Sequence, residues 1–192
     1  MSDPDRKLAR RAGRGDRGAL LELYDRHRSR LFGYLVKVAG DREAAEDLFQ
    51  EVWIKLMGGI ETYRPGPSPF RAWLYRIATN AAVDRARREA RQAAEELDAP
   101  GAEGGPPRID LLESSEPGPE RMGQAAELGR RLGRAMGSLN ERQRAAVLLR
   151  HQQGLTYAEI AEALQVPEGT AKTMVHRGAH RLRTLLEEES GG

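Results

Sequence analysis

The sequence contains no cysteine. Disulfides, thiolate zinc sites and cysteine nucleophiles are therefore excluded, and a reducing cytoplasm is the compartment that fits. No apolar run approaches the ~20 residues needed to span a bilayer, so no membrane insertion is expected. The basic start of the chain (Arg6, Lys7, Arg10, Arg11, Arg14, Arg17) is not followed by an apolar segment and does not read as a secretory signal. Sustained period-2 alternation is absent, which argues against a sheet. Lysine is scarce, with only Lys7, Lys37, Lys55 and Lys172 beside abundant arginine. That bias fits a GC-rich genome and carries no mechanism. Hydrophobic residues make up 39% of 192, enough for small cores in one or two domains but not for one large core.

Charge is segregated along the chain. The formal net charge is only +2, yet residues 70–91 carry six arginines against Asp84 and Glu89. Residues 92–123 carry eight acids against Arg108 and Arg121. Residues 168–183 carry Lys172, Arg177, Arg181 and Arg183 against Glu168. Two basic segments flanking an acidic one suggest a nucleic-acid partner; solvated helix faces would give the same count.

The periodicity is helical throughout. Apolar residues recur at helical spacing over 17–40 and over 42–57, where Ala45, Leu48, Val52 and Leu56 form a stripe ended by Gly58-Gly59. The prolines of 64–69 enforce a loop. Phe70, Trp73, Leu74, Ile77 and Ala81 share a face of the next helix, followed by an arginine-rich helical stretch from Val83 to about Arg91. Residues 98–120, rich in Pro, Gly and acids, read as a linker with Ile109, Leu111 and Leu112 as its apolar island. Helical pattern resumes near Gln124. Ser138 with Glu141, and Thr156 with Glu159, each have capping-box spacing.

The expected architecture is all-α: two small helical domains joined by a flexible acidic linker. A basic N-terminal tail (1–16) precedes a first domain (17–91). The linker (92–123) leads to a second domain (124–188) and a short tail (189–192).

A short helix from Thr156, a turn at Gln165-Val166-Pro167 and a longer basic helix describe a helix-turn-helix. At ~100° per residue, Ala171, Met174, Val175, Gly178, Leu182, Leu185 and Leu186 form the inner face of the last helix. Lys172, Thr173, His176, Arg177, His180, Arg181, Arg183 and Thr184 form the outer one, with no acid before Glu187. A major groove accepts such a face. Residues 172–177 should reach base edges, and Arg181 and Arg183 should position phosphates. An ordinary surface helix, or a metal site at His176 and His180, is the competing reading; no further metal ligand is in sight.

Three motifs together resemble the sigma-70 superfamily, in its short extracytoplasmic-function (ECF) group. Asp47 to Leu56 (DLFQEVWIKL) resembles region 2.2. Phe70 to Arg88 (FRAWLYRIATNAAVDRARR) resembles regions 2.3 and 2.4. Leu155 to Leu164 (LTYAEIAEAL) with Pro167 to Arg177 (PEGTAKTMVHR) resembles region 4.2. The chain lacks room for regions 1.1 and 3 of the longer members. Gly137-Ser-Leu-Asn140 also replaces the more usual Leu-Pro pair before the region 4 helix.

The resemblance implies an alternative sigma factor without catalytic residues, metal or cofactor. Its partners would be core RNA polymerase (the β′ clamp helices and the β flap), promoter DNA and an anti-sigma factor, in the cytoplasm at the nucleoid. Asp47, Gln50 and Glu51 would bind polymerase. Arg71, Tyr75, Arg76, Thr79, Asn80, Asp84, Arg85, Arg87 and Arg88 would form the −10 site, with Arg71, Tyr75, Arg76 and Thr79 on the solvent side of their helix and Phe70 and Trp73 packing inward. Lys172, Thr173, His176, Arg177, His180, Arg181 and Arg183 would read the −35 element. The acidic linker would thread the polymerase's RNA exit path, mimicking nucleic acid there. Two other functions compete: a stand-alone dimeric helix-turn-helix regulator, and a metal-dependent nuclease using Asp41, Glu43, Glu46, Asp47 and Glu51, acids that lack a convergent partner.

Overall fold

A computed structural model describes residues 4–64, 69–97 and 119–188, all helices and short turns. The apolar island at 109–112, most of the 92–123 linker, part of the proline loop and the tail 189–192 lie outside the described residues.

The basic start of the chain is not a bare tail. Helix α1 (Pro4–Ala12) buries Leu8, Ala9 and Ala12. Helix α2 (Arg17–Ala39) is capped by Asp16, whose carboxylate accepts from the Ala19 amide at 3.0 Å. It stops at Gly40, where φ is 89°. A left-handed residue there closes the helix without the steric cost a β-carbon would bring. Asp41 caps α3 (Arg42–Gly59) in the same way, accepting from Ala44. A 3-10 turn (Ile60–Thr62) leads out of α3.

Helix α4 (Phe70–Leu97) is one uninterrupted rod of 28 residues. Ala81, Ala82 and Val83 carry its buried seam past the point where the sequence suggests a second helix. Leu23, Leu31, Leu35, Leu48, Val52, Leu56 and Leu74, all essentially inaccessible, form the core of the first domain. Each contributes roughly 1.5–3 kcal/mol by its burial.

The second domain comprises α5 (Pro119–Gly137), α6 (Glu141–His151), α7 (Tyr157–Leu164) and α8 (Glu168–Glu188). The expected box at Ser138 is replaced by an Asn140 cap that accepts from the Gln143 amide at 2.9 Å. The last turn of α5 claims Ser138, whose hydroxyl donates to the Ala135 carbonyl, and Leu139 is buried between the two helices. The Thr156–Glu159 box does form, with both reciprocal bonds present.

The domains pack against each other: α7 lies along α4, and α6 meets α2 and α4. Arg144, a buried guanidinium of α6, donates to the carbonyls of Met136 and Leu139 and to Val38 at the end of α2 (2.8 Å).

Candidate nucleic-acid interface

Gln165, in the left-handed region at φ 54°, turns the chain from α7 into α8. The Val166 amide returns to the Ala161 carbonyl and closes that turn. Ala171, Val175, Gly178 and Leu182 then face inward, while Met174, Leu185 and Leu186 are half-buried against the core. Lys172, Thr173, His176, Arg177, His180, Arg181, Arg183 and Thr184 are all exposed. Neither Lys172, Arg177 nor Arg183 forms an ion pair among the described residues. Arg181 donates to the Ser138 hydroxyl in the turn before α6, and His176 lies near Tyr157 Oη of α7. The face is cationic, continuous and rigidly mounted, and its charges are unspent.

Helix α4 differs from the expectation. Tyr75 and Thr79 are not on a solvent side; they are 3% and 2% exposed. Thr79 bonds the Tyr34 hydroxyl at 2.7 Å, and the Tyr34 and Tyr75 rings pack edge to face. Burial pushes both phenols above their ordinary pKa, so they are neutral hydrogen-bonding groups. The reason is tertiary: α4 is covered on one side by α2 and α3 and on another by the second domain. Arg76 is half-buried, while Asn80, Asp84, Arg87 and Arg88 are exposed. Arg85 is spent on Glu89 and Asp47 (2.6 and 3.5 Å). Phe70 packs fully inside against Tyr63 and Trp73.

On α3, Asp47 and Gln50 are exposed and Glu51 pairs with Lys55. Ile54, 64% exposed, continues the same face one turn on, and Met57 is exposed beyond it. The sequence reading missed both; their absence from the Leu48/Val52/Leu56 stripe was the available signal.

The Sigma-70 region 2 family profile matches residues 23–92, and the Sigma-70 region 4 profile matches residues 129–182. The ECF sigma factor SigE of Mycolicibacterium smegmatis is 35% identical over 92% of this chain, which spans 66% of that relative's length. The sigma-H factor of Pseudomonas aeruginosa is 32% identical over 96% of this chain and 95% of its own. The chain belongs to the ECF group of the sigma-70 family.

As a family member it is a transcription initiation factor, with α2 to α4 in region 2 and α5 to α8 in region 4. The fold is shared with CnrH in complex with the cytosolic domain of CnrY (TM-score 0.65, 22% identity, 96% of this chain and 97% of that one). It is shared too with Bartonella quintana RpoE in complex with the anti-sigma factor NepR (TM-score 0.63, 21% identity, 86% and 97%). Region 4 of this chain contributes three residues that sequence reasoning did not place near region 2, namely Gln153, Glu159 and Gln165.

Proposed function

We propose that this sigma factor binds core RNA polymerase through the α3 face (Asp47, Gln50, Glu51, Ile54), reads the −35 element with α8 and holds the melted −10 strand on α4. The observation that carries the reading is the uncompensated outer face of α8 on its helix-turn-helix mount. Lys172, Thr173, His176 and Arg177 lie at the entering end, where side chains reach base edges. Arg181, Arg183 and His180 lie further along and suit phosphates. On α4, Arg71, Arg76, Arg87 and Arg88 supply cations for a single-stranded backbone. Exposed Asn80 supplies a polar group for an extruded base, with Asp84 and Arg85 at the margin, while Tyr75 and Thr79 are buried behind it and Thr79 is bonded to Tyr34. Region 4 would take the β flap as its second polymerase contact. An anti-sigma factor is the expected regulatory partner, because a relative of the same fold was solved with one. Exposed Ile54 and Met57 give a protein partner apolar anchors that a solvated acidic face would lack.

In vitro transcription with core polymerase and a genomic promoter library tests this. The wild type should yield promoter-dependent transcripts from a defined subset. Arg177→Ala should lose about 5- to 150-fold at promoters carrying the guanine it reads, the ~1–3 kcal/mol of one base contact. No promoter-dependent transcript from a library of demonstrated coverage would overturn the reading.

A further inference from the structure

The cations at the start of the chain take no part in the faces described so far. Residues 4–17 hold Arg6, Lys7, Arg10, Arg11, Arg14 and Arg17 against Asp5 and Asp16. The structure sorts these charges by what each one touches. At ~100° per residue, Leu8, Ala9 and Ala12 lie on one side of α1 and are buried. Asp5 falls on that same side, where it meets His27 and Arg26 of α2. Asp16 caps α2 through the Ala19 amide and pairs with Arg11 at 2.8 Å. Both acids are therefore spent. Lys7, Arg10 and Arg14 lie on the opposite side, all exposed. Together with exposed Arg17, they form no ion pair among the described residues.

We infer that the outer face of α1, with the turn that follows it, grips the phosphate backbone of promoter DNA. This third DNA-facing surface rests on the promoter-binding reading of α4 and α8 and adds to it a contact that reads no sequence.

Chemistry selects the partner. The outward side chains are one ammonium and several guanidinium groups, which attract phosphates. The one large apolar side chain of α1, Leu8, is buried. The helix therefore lacks the outward apolar stripe of a helix lying on a membrane and the apolar anchors of a protein interface. Spacing agrees. The turn continues the winding of α1, with the Gly13 amide donating to the Ala9 carbonyl and the Arg14 amide to the Arg11 carbonyl. Lys7 to Arg14 then covers roughly 10 Å at ~1.5 Å per residue, the length of about three phosphates of one strand at ~3.4 Å each.

The face is mounted rather than tethered. Helix α1 packs on α2, on the 3-10 turn and on α4. His27, the partner of Asp5, also sets its ring against Phe70, the first residue of α4, with 5.5 Å between centroids. The cations of α1 therefore adjoin the start of the helix assigned to the melted strand. Arg17 opens α2, whose first turn carries no acid. A cation at that end opposes the helix dipole, a small cost that a bound phosphate offsets.

The test uses the full chain bound to core polymerase and a fluorescein-labelled promoter duplex, with affinity read between about 50 and 200 mM salt. Lys7→Gln, Arg10→Gln and Arg14→Gln together remove the charges, and glutamine keeps the helix propensity. Three lost phosphate contacts should flatten the salt dependence. Across that range the wild-type affinity should fall about 40-fold more than the variant's, a difference of about 2.7 in log–log slope. The flattening should be equal at promoters that differ in their −35 and −10 sequences, unlike the effect of Arg177→Ala. Lys7→Arg with Arg10→Lys and Arg14→Lys should restore the wild-type slope. An unchanged slope in the glutamine variant would overturn the inference, and so would a promoter-dependent loss. Weaker binding to core polymerase with DNA binding intact would also overturn it and assign the face to a protein partner. NMR of the α1 amides checks that the helix stays docked. If the triple variant loosens it, Arg10→Gln and Arg14→Gln singly, each expected to lower the slope by about 0.9, repeat the measurement. A wild type that binds no promoter fails the promoter reading itself; equal slopes in a wild type that binds fail this inference alone.

Discussion

A β-carbon at position 178 would lie 2.6 Å from Cγ2 of Val147. Glycine is there because α8 and α6 approach too closely for anything larger. The helical tracing placed Gly178 on the inner face, and the packing supplies the neighbour. Gly178→Ala gains about 1 kcal/mol of helix propensity but overpacks a closed core at about 1–3 kcal/mol. Net destabilisation of roughly 1 kcal/mol or more is expected by urea denaturation. A cycle with Val147→Ala should show favourable coupling of about 1 kcal/mol, since the smaller side chain vacates the contact. Tyr75 and Thr79 show the converse. Their position on the wheel is polar by residue type, and nothing local indicates that Tyr34 and region 4 cover them.

At the scale of one element, α1 was illegible because its apolar positions are few: Leu8, Ala9 and Ala12 bury what a composition rich in arginine conceals. Its anchor is polar. Asp5 takes His27 Nε2 and an Arg26 guanidinium nitrogen, each at 2.9 Å. The hydrogen bond from His27 is the main reason the Asp5 carboxyl sits below its ordinary value; Arg26 adds to it and burial opposes it. A carboxyl lowered in the folded state stabilises above its unfolded value and loses that contribution as pH falls through the lowered one. The amides of α1 should therefore stay ordered at neutral pH and loosen below about pH 4, as read by NMR. Asp5→Asn should loosen α1 by about 1 kcal/mol at neutral pH and abolish that acid transition. The α8 face, by contrast, was legible in full, because a helix exposed on one side obeys its own periodicity.

Across the whole molecule, Arg144 is the strut between regions: its three carbonyl partners come from α5, the turn after it and the end of α2. Burial lowers its pKa, yet a guanidinium stays charged, and the three carbonyls satisfy it without a carboxylate. Arg144→Leu should cost about 2–3 kcal/mol by stranding those acceptors. Calorimetry should then resolve two transitions where the wild type shows one, as region 4 melts apart from region 2. The sequence alone determined the helical pattern beyond α1, the cap at Thr156, the helix-turn-helix, the outer face of α8 and the family, because each follows from periodicity, local hydrogen bonding or a contiguous motif. Only the tertiary structure decided that Asn140 rather than Ser138 caps α6, that α1 is docked, and that Arg71 and Tyr75 meet Glu159 and Gln153. Those outcomes depend on residues that are tens of positions apart or compete for one turn, and no local rule ranks such partners before the chain has packed.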